Sequence, residues 1–436
     1  MSTYPIKTPE FQKYVSEADR LISVLHTIKD ADKWSLYANK LLDGALGTEL
    51  RRNVEIEILR NSGIFFTDSR LRNEIMSMIE VRRAIRYLDP ACGIGDLLIA
   101  CAMKVGRSRT INETINDWGT VLHGFDIFPE FVDLAKQRLV ILAMFLHESQ
   151  TFEYEKSEIF PNIKAVSFLE DDLEVETFDC VVMNPPYNLM NSPSMVNWAS
   201  GKVNSAAVFL ERCLKFLTTN GKIIAVLPDV LRSGSRYQAW REQIQNQLVL
   251  EKVILCGQFD SYTDVDVFIA QFKRTQKSGQ NQPQNWQMIS RGKKSVGDYF
   301  EVRVGPVVNY RDPHKGKWRK FLVARDLPQG KSIFEIPKSR RFLGRVFSPP
   351  FVVVQRTSRK EDRFRLRAAI IRGNREVAVE NHLLVLVPKD GRLSTCSKLL
   401  NLFGLTETNE WMNQRIRCRH LTVSSVMDLP WRVSDD

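Results

Sequence analysis

The 436-residue chain lacks the long apolar run that a membrane-spanning helix requires. Its longest clean apolar stretch, LVILAMFL at 139–146, is far shorter than the roughly 20 residues needed to cross a bilayer. The opening residues, MSTYPIKTPEFQKY, lack the apolar segment of a secretory signal. We therefore expect a cytoplasmic protein that does not associate with a membrane.

Patterns that bind metals or form disulfides are missing as well. The seven cysteines are scattered, odd in number and never spaced as C-x-x-C, and the six histidines show no metal-ligand spacing. Such usage is typical of a reducing compartment. The sequence predicts no metal site.

The first two thirds of the chain carry no net positive charge, whereas the last third is strongly basic. Residues 1–280 hold 32 Lys and Arg against 36 Asp and Glu, whereas residues 281–436 hold 30 against 15. The net charge of +11 therefore arises at the C-terminal end. Because clustered cations gain free energy by releasing counterions from phosphates, this asymmetry indicates a polyanionic partner. A solvated basic surface is the alternative.

Periodicity divides the chain into regions. Apolar residues three and four apart predict an N-terminal helical region at 1–60. Short apolar runs alternating with amphipathic stretches then predict an α/β domain at 61–275, with a doubly wound, Rossmann-like parallel sheet covered by helices. Residues 276–287, rich in Gln and Asn, read as a linker. A strand-rich, basic α+β domain is predicted at 288–436.

The stretch YLDPACGIGDLLIACA at 87–102 is a predicted strand, a glycine-containing turn and a predicted helix. In doubly wound sheets such a turn forms a ligand site at the carboxyl edge. The spacing is not G-x-G-x-x-G, so a dinucleotide is poorly supported. Asp89 and Asp96 would repel phosphates, but they suit the cationic ammonium and sulfonium of S-adenosylmethionine.

Two further acids follow later predicted strands. Asp126 ends the next strand, where a carboxylate can take both hydroxyls of a ribose, and Asp172 follows a third, where it can accept an adenine amino group. Each acid alone is more simply a helix cap or a loop charge. Acids at three successive strand ends predict one shared cofactor site.

The stretch FDCVVMNPPYNLM at 178–190 ends an apolar strand with Asn184, Pro185, Pro186 and Tyr187. Two consecutive prolines end almost any helix or strand, so we expect this stretch to have a function beyond packing. A Pro-Pro turn with a buried tyrosine is the alternative.

Together these stretches resemble adenine-specific DNA methyltransferases of restriction-modification systems, which act on the N6 amino group. The cofactor motif precedes the catalytic NPPY motif, as in the gamma-type order, and target recognition is C-terminal. The matching pieces, which cover roughly residues 61–274, are FFTD, DPACGIGD, GFDIFP, MNPPY, GKIIAVLPDVL and GQFDSYTDVDVFIAQF. FFTD departs from the usual FFTP or FYTP but leaves Thr67 matched.

The resemblance implies a role for each part of the site. The Asn184 side chain and the Pro185 carbonyl would accept hydrogen bonds from the adenine amino group, with Pro186 fixing the backbone. Tyr187 and Phe259 would stack on a base extruded from the duplex, although Phe259 could equally serve the core. The implied cofactor-binding residues are Thr67, Asp89, Pro90, Ala91, Cys92, Gly93, Gly95, Asp96, Asp126, Ile127, Asp172 and Asn184.

The implied cofactor is S-adenosylmethionine, and the implied partner is double-stranded DNA. A cognate restriction endonuclease or a specificity subunit is a further expected partner, and the oligomeric state is left open. One alternative is a modification subunit that takes its specificity from another chain. Others are methylation of an RNA base or of a protein glutamine, because NPPY also occurs in those enzymes. A nucleic-acid-binding protein with a vestigial cofactor fold is the non-enzymatic alternative.

Overall fold

The computed structural model describes residues 8–55, 59, 69–80, 85–155, 158–194, 196–259, 265–274, 286, 294–328, 332–333 and 335–432. The chain divides into a first unit, Met1–Leu231 with Ala239–Gln284, and a second unit, Arg232–Gln238 with Asn285–Asp436. The predicted linker at 276–287 lies outside the described residues except for Trp286, and the predicted domain boundaries stay predictions. Within the described part of the chain, no helix combines the length and the apolar character that a membrane crossing demands.

Helices cover the first unit and also form its N-terminal part. Thr8 and Asp30 cap the first two helices by accepting hydrogen bonds from the N–H groups of Phe11 (3.3 Å) and Lys33 (2.9 Å). Their inward residues share one core with the sheet. The described helices up to residue 274 are α1 (Pro9–Leu25), α2 (Ala31–Leu42), α3 (Ala45–Asn53), α4 (Ser69–Met78), α5 (Asp96–Val105), α6 (Ile111–Val121), α7 (Pro129–Leu146), α8 (Ser205–Cys213), α9 (Asp229–Ser233) and α10 (Gln238–Gln245).

Seven strands of the described residues form the central sheet, in the order β3-β2-β1-β4-β7-β9-β8. The chain runs from β1 to β2 on one side and later places β4 on the other, so a topological switch point lies beside β1. The strands up to residue 274 are β1 (Tyr87–Asp89), β2 (Leu122–Asp126), β3 (Ile163–Ala165), β4 (Phe178–Met183), β5 (Leu189–Asn191), β6 (Lys202–Asn204), β7 (Leu217–Pro228), β8 (Leu248–Gln258) and β9 (Asp266–Arg274).

The predicted doubly wound α/β fold is confirmed, with one difference in strand direction. β1, β2, β3, β4 and β7 are parallel, but β9 runs antiparallel to both β7 and β8. Few residues separate β8 from β9. A parallel connection needs a crossover of a dozen or more residues, so this short link returns the chain in the opposite direction. The predicted parallel sheet thus holds for β1, β2, β3, β4 and β7, and β9 is the strand that runs in the opposite direction.

The second unit is strand-rich, as predicted. Its two sheets have the orders β10-β17-β14-β15-β12 and β13-β11-β16. One face of the larger sheet packs on the C-terminal helices. Its described elements are α11 (Val296–Tyr299), β10 (Phe300–Val304), β11 (Lys317–Leu322), β12 (Ser332–Ile333), β13 (Ser339–Phe342), β14 (Phe351–Gln355), β15 (Ala368–Ile371), β16 (Val377–Val379), β17 (Leu383–Pro388), α12 (Leu393–Phe403), α13 (Thr406–Arg415) and α14 (Val423–Met427).

Candidate active site

Three neighbouring strands of the first unit end at the same sheet edge. Asp89 is the last residue of β1 and pairs with Gly124 of β2, two residues before Asp126. On the other side β1 pairs in parallel with β4, and Asn184 follows the last residue of β4. The edge therefore brings together Asp89, Asp126 and Asn184, which lie far apart in the sequence.

The turn between β1 and α5 is tied to the end of β2 by backbone donors. The N–H of Cys92 donates to the Phe125 carbonyl at 2.9 Å, and the N–H of Gly93 donates to Asp126 Oδ2 at 2.8 Å. Asp89 Oδ1 accepts from the N–H of Ala91 at 3.2 Å. These bonds fix the backbone of the turn against both acids.

Gly95 allows α5 to begin close to α7. Its φ of +86° is in the left-handed region, and an added Cβ would lie 2.9 Å from the Cβ of Ala135. A side chain here would meet both backbone strain and a collision. Gly95 therefore permits close packing of α5 on α7, and it also leaves this position of the turn without a side chain.

Burial disfavours the charged forms of the two acids at the edge. Burial raises the pKa of Asp89 well above its usual range, and the charges of Asp126 and Asp96 raise it further. Burial also raises the pKa of Asp126 to about 6, against the opposing hydrogen bonds from backbone N–H groups. Removing carboxylates from water near one another disfavours their charged forms, and a bound cation relieves that cost.

Asp96 faces the interior of the unit rather than solvent. Its Oδ1 lies 2.9 Å from Arg138 Nη2, and neither side chain is more than 6% exposed. Arg138 also donates to the carbonyls of Ile94 (2.7 Å), Leu41 (3.3 Å) and Leu42 (3.0 Å). This buried guanidinium joins the start of α5 to the end of α2. In this conformation Asp96 is engaged in a structural ion pair.

The loop after β4 is held by hydrogen bonds within the motif and from the start of α8. The Tyr187 hydroxyl donates to Asn184 Oδ1 at 2.6 Å. Asn204 Nδ2 donates to the Tyr187 carbonyl at 2.9 Å, while the Ser205 hydroxyl lies within hydrogen-bond distance of the Pro186 carbonyl and of Asn188 Oδ1. The described residues contribute no donor to the Pro185 carbonyl. The loop thus presents the Pro185 carbonyl as an acceptor next to the Asn184 side chain, whose oxygen accepts from the Tyr187 hydroxyl.

The two predicted aromatic residues touch each other beside this loop. The rings of Tyr187 and Phe259 lie 5.8 Å apart, edge to face at 87°. Phe259 is buried, at 2% exposure, whereas Tyr187 is partly exposed. Burial raises the pKa of the Tyr187 phenol far above its usual range, so the hydroxyl stays protonated and serves as a donor.

The remaining predicted cofactor residues differ in how they are placed. Ile127 follows β2 and is partly exposed, and Pro90 is buried in the turn after β1. Asp172 is exposed in a turn well beyond the end of β3. Thr67 lies outside the described residues. The ligand roles assigned to all these residues stay predictions.

Sequence reasoning missed the residues that support the site, namely Arg138, Asn204 and Ser205. A signal existed for the last two. Asn204 caps α8 by accepting from the N–H of Ala206 at 3.0 Å, and Asn followed by Ser before an amphipathic run is a recognisable helix start. Nothing local in the sequence, however, connects that helix start to the loop at Asn184.

Replacing Ser205 by alanine tests this support. Ser205 is buried, and the variant loses the hydroxyl that bonds the Pro186 carbonyl and Asn188. We expect Ser205→Ala to lower the free energy of unfolding by about 1 kcal/mol, because it leaves partly buried acceptors without this donor. Urea unfolding measures the loss, and Ser149→Ala, on a surface turn, is the control. Equal stability of the two variants would contradict the role of Ser205.

Comparison with known proteins identifies the family. The model of the family described as N-6 DNA Methylase matches residues 52–295, which is more than half of the chain. The type II restriction enzyme and methyltransferase RM.BcgI of Heyndrickxia coagulans is 22% identical over 308 residues, 66% of this chain and 44% of that protein. The type II methyltransferase M.CvrRI of Paramecium bursaria Chlorella virus XZ-6E is 25% identical over 183 residues, 41% of this chain and 39% of that protein.

The chain thus matches less than half the length of these two relatives. Among solved structures, the fold resembles the type IIL restriction-modification enzyme MmeI, with a TM-score of 0.53 and 11% identity over 88% of this chain and 70% of that one. The family match contains β1, β2, β4 and the loop at Asn184. By this match the chain belongs to the N-6 DNA methylase family.

Proposed function

We propose that the chain transfers a methyl group from S-adenosylmethionine to the N6 amino group of an adenine in double-stranded DNA. The observation that carries the proposal is the meeting of two desolvated acids and the Asn184–Tyr187 loop at one sheet edge. A cation-binding surface beside a set of fixed acceptors fits a sulfonium donor next to an amino-group target. Membership in the N-6 DNA methylase family favours DNA over an RNA base or a protein glutamine.

The residues at the edge fit the cofactor by charge and by shape. Asp89 and Asp126 carry raised pKa values that a positive ligand would lower. Gly93, whose N–H already bonds Asp126, leaves the turn without a side chain where a ligand would approach. We propose that Asp126 holds the ribose hydroxyls and Asp89 the cationic end. When bound, S-adenosylmethionine supplies a methyl group activated by the sulfonium charge.

The loop after β4 would hold the substrate amino group. That nitrogen is a weak nucleophile because its lone pair is delocalised into the purine ring. Hydrogen bonds from its two N–H groups to Asn184 Oδ1 and the Pro185 carbonyl would localise the lone pair for transfer. The Tyr187 hydroxyl donates to the Asn184 oxygen and so orients the amide. Pro185 and Pro186 limit backbone motion, so the acceptors are in place beforehand.

Adenine inside a duplex is inaccessible to such a pocket, so the base must be extruded. Tyr187 is partly exposed and is proposed to stack on the extruded base. Phe259 contacts the edge of the Tyr187 ring from a buried position. We propose that in this conformation Phe259 orients Tyr187, and that direct stacking of Phe259 on the base requires a shift of its ring.

The biological setting, a restriction-modification system, is proposed from the relatives, one of which is named a type II restriction enzyme and methyltransferase and the other a type II methyltransferase. A cognate endonuclease or a specificity subunit would be the partner in such a system. The basic second unit supports an autonomous enzyme that binds DNA with its own residues, because 30 Lys and Arg lie in residues 281–436.

Methyl transfer by the isolated chain tests the proposal. The protein is incubated with methyl-labelled S-adenosylmethionine and DNA from an unmethylated host, and the DNA is then digested to nucleosides. We expect the label in N6-methyldeoxyadenosine. Label in a cytosine derivative, or transfer to RNA or protein but not to DNA, would contradict the proposal. Transfer only after addition of a second chain would favour the modification-subunit alternative.

Cofactor affinity should depend on pH through Asp126. The pKa of this carboxyl is raised to about 6 in the free protein, and the bound ligand favours the ionised form. Affinity is then highest above pH 6 and falls as the carboxyl takes up a proton. Calorimetric titration with S-adenosylmethionine should show a loss of about tenfold between pH 7 and pH 5.

Asp126→Asn is the matched control for this titration, because it keeps the shape and removes the titrating charge. We expect it to bind S-adenosylmethionine more weakly at pH 7 and to lose most of the pH dependence. An equally steep profile in Asp126→Asn would show that another group controls binding.

A further inference from the structure

An antiparallel pair of strands in the second unit has one buried and one exposed face. Trp318 of β11 lies directly opposite Arg341 of β13, so both side chains are on the same face. The alternate residues, including Phe321 and Phe342, pack into a small core on the other face. Side chains of a strand alternate between its two faces, so the Trp318 side is the outward one.

Large apolar side chains on this outward face are unusually exposed. Trp318 is 70% exposed, and Leu343, which directly follows β13, is 76% exposed. Nearly all other tryptophans that the structure describes are buried. Contiguous apolar side chains that a soluble protein leaves in water commonly mark an interaction site.

Backbone contacts hold this surface in shape. Arg341 Nε donates to the Gly316 carbonyl at 2.9 Å. Gly316 has a φ of +94°, and an added Cβ would lie 2.8 Å from the side chain of Leu343. The turn that starts β11 therefore fits under Leu343 only because residue 316 is glycine. Trp318, Arg341 and Leu343 form a surface, named the Trp318 face, whose shape is set before any partner arrives.

The surroundings of the Trp318 face are strongly basic. Residues 310–345 contain eleven Lys and Arg against three Asp and Glu. Five of these cations form ion pairs, but within the described parts of the chain no carboxylate lies within ion-pair distance of Arg341. An apolar patch that contains the unpaired Arg341 and lies in a segment with an excess of cations complements a polyanion better than it complements an ordinary protein surface.

We propose that the Trp318 face binds double-stranded DNA, with Arg341 on a phosphate and with Trp318 and Leu343 against the sugars and bases of a groove. This inference rests on the proposed function, and it assigns DNA contacts to residues that no sequence motif marks. Cations on phosphates position a protein on the duplex, whereas apolar side chains in a groove sense base steps and their deformability.

Binding of the full chain to a fluorescein-labelled duplex of mixed sequence, followed by anisotropy over a salt series, tests the proposal. We expect Trp318→Ala and Leu343→Ala each to weaken binding by about tenfold with an unchanged salt slope, since stacking contacts carry no counterions. Arg341→Ala should reduce the slope of log K against log salt by about one. Trp318→Phe should retain most of the affinity, which separates loss of contact from loss of fold.

The matched control is Leu36→Ala, because Leu36 is 74% exposed on α2 of the first unit. It should bind DNA as the unaltered chain does. Unaltered affinity in both Trp318→Ala and Leu343→Ala would overturn the proposal and favour a protein partner for this face. If the unaltered chain methylates DNA but these variants bind normally, this inference alone fails. If the variants lose affinity but the unaltered chain transfers no methyl group, the proposed function alone fails.

Discussion

Asn184→Ala is expected to lower turnover by about 10²- to 10³-fold, the range found when one preorganised polar group is removed from a reaction centre. The side-chain oxygen of Asn184 is fixed by the Tyr187 hydroxyl and follows directly from β4. Its loss leaves the substrate amino group with the Pro185 carbonyl as its main acceptor. The lone pair then remains more delocalised into the ring, so the amino nitrogen is less nucleophilic and the transfer step slows.

Cofactor binding should survive this substitution, because the two acids proposed to hold the cofactor, Asp89 and Asp126, lie on β1 and β2. Calorimetry with S-adenosylmethionine and single-turnover methylation of DNA measure the two properties separately. Asn191→Ala is the matched control, since Asn191 is an exposed asparagine on β5. A normal methylation rate in Asn184→Ala would refute the role of the amide. Loss of cofactor affinity without a change in the transfer rate would reassign Asn184 to the cofactor site.

Arg138→Met is expected to give the largest loss of stability, about 3–5 kcal/mol in the free energy of unfolding. The substitution keeps an unbranched side chain but removes the guanidinium that faces Asp96 and the carbonyls of Ile94, Leu41 and Leu42. A buried carboxylate and several buried carbonyls then lose their partner. Urea unfolding monitored by tryptophan fluorescence measures the change.

Two further variants make this result specific. Arg138→Met combined with Asp96→Asn should recover part of the loss, because no buried charge remains without a partner. Arg20→Met, in which the arginine forms an exposed pair with Glu17, should unfold as the unaltered chain does. Similar stability of Arg138→Met and Arg20→Met would show that the buried pair contributes little.

The strands that build the site were predictable because their apolar runs end abruptly in polar or glycine residues. β1, β2, β4 and β7 all coincide with such runs. Parallel strands buried on both faces need continuous apolar sequence, so their pattern is strong. The ends of these strands carry the acids and the NPPY loop, and the resemblance to a known family rested on the same stretches.

The support of the site was not predictable, because it depends on contacts between distant parts of the chain. Arg138 lies in the long amphipathic helix α7, where a single arginine suggests a solvated position. It is fully buried, and it joins carbonyls that are 44 to 97 residues away in the sequence. No local sequence pattern indicates that Arg138 has such distant partners.

Short elements were missed for a different reason. β5 and β6 have three residues each and are largely exposed, so they show too little apolar alternation to be recognised. The largely polar segment at 106–119 contains most of α6, and the buried Trp118 donates from Nε1 to the Gly106 carbonyl at 2.8 Å. Trp118 anchors this helix together with the buried Thr114, Ile115 and Gly119.

The most direct test of the central claim is a crystal structure of the chain with S-adenosylmethionine or a non-transferable analogue of it. We expect the ribose hydroxyls to bind Asp126, the cationic end to lie near Asp89, and the sulfonium to point toward the Asn184 side chain. A ligand bound elsewhere, or one whose sulfonium faces away from Asn184, would contradict the account.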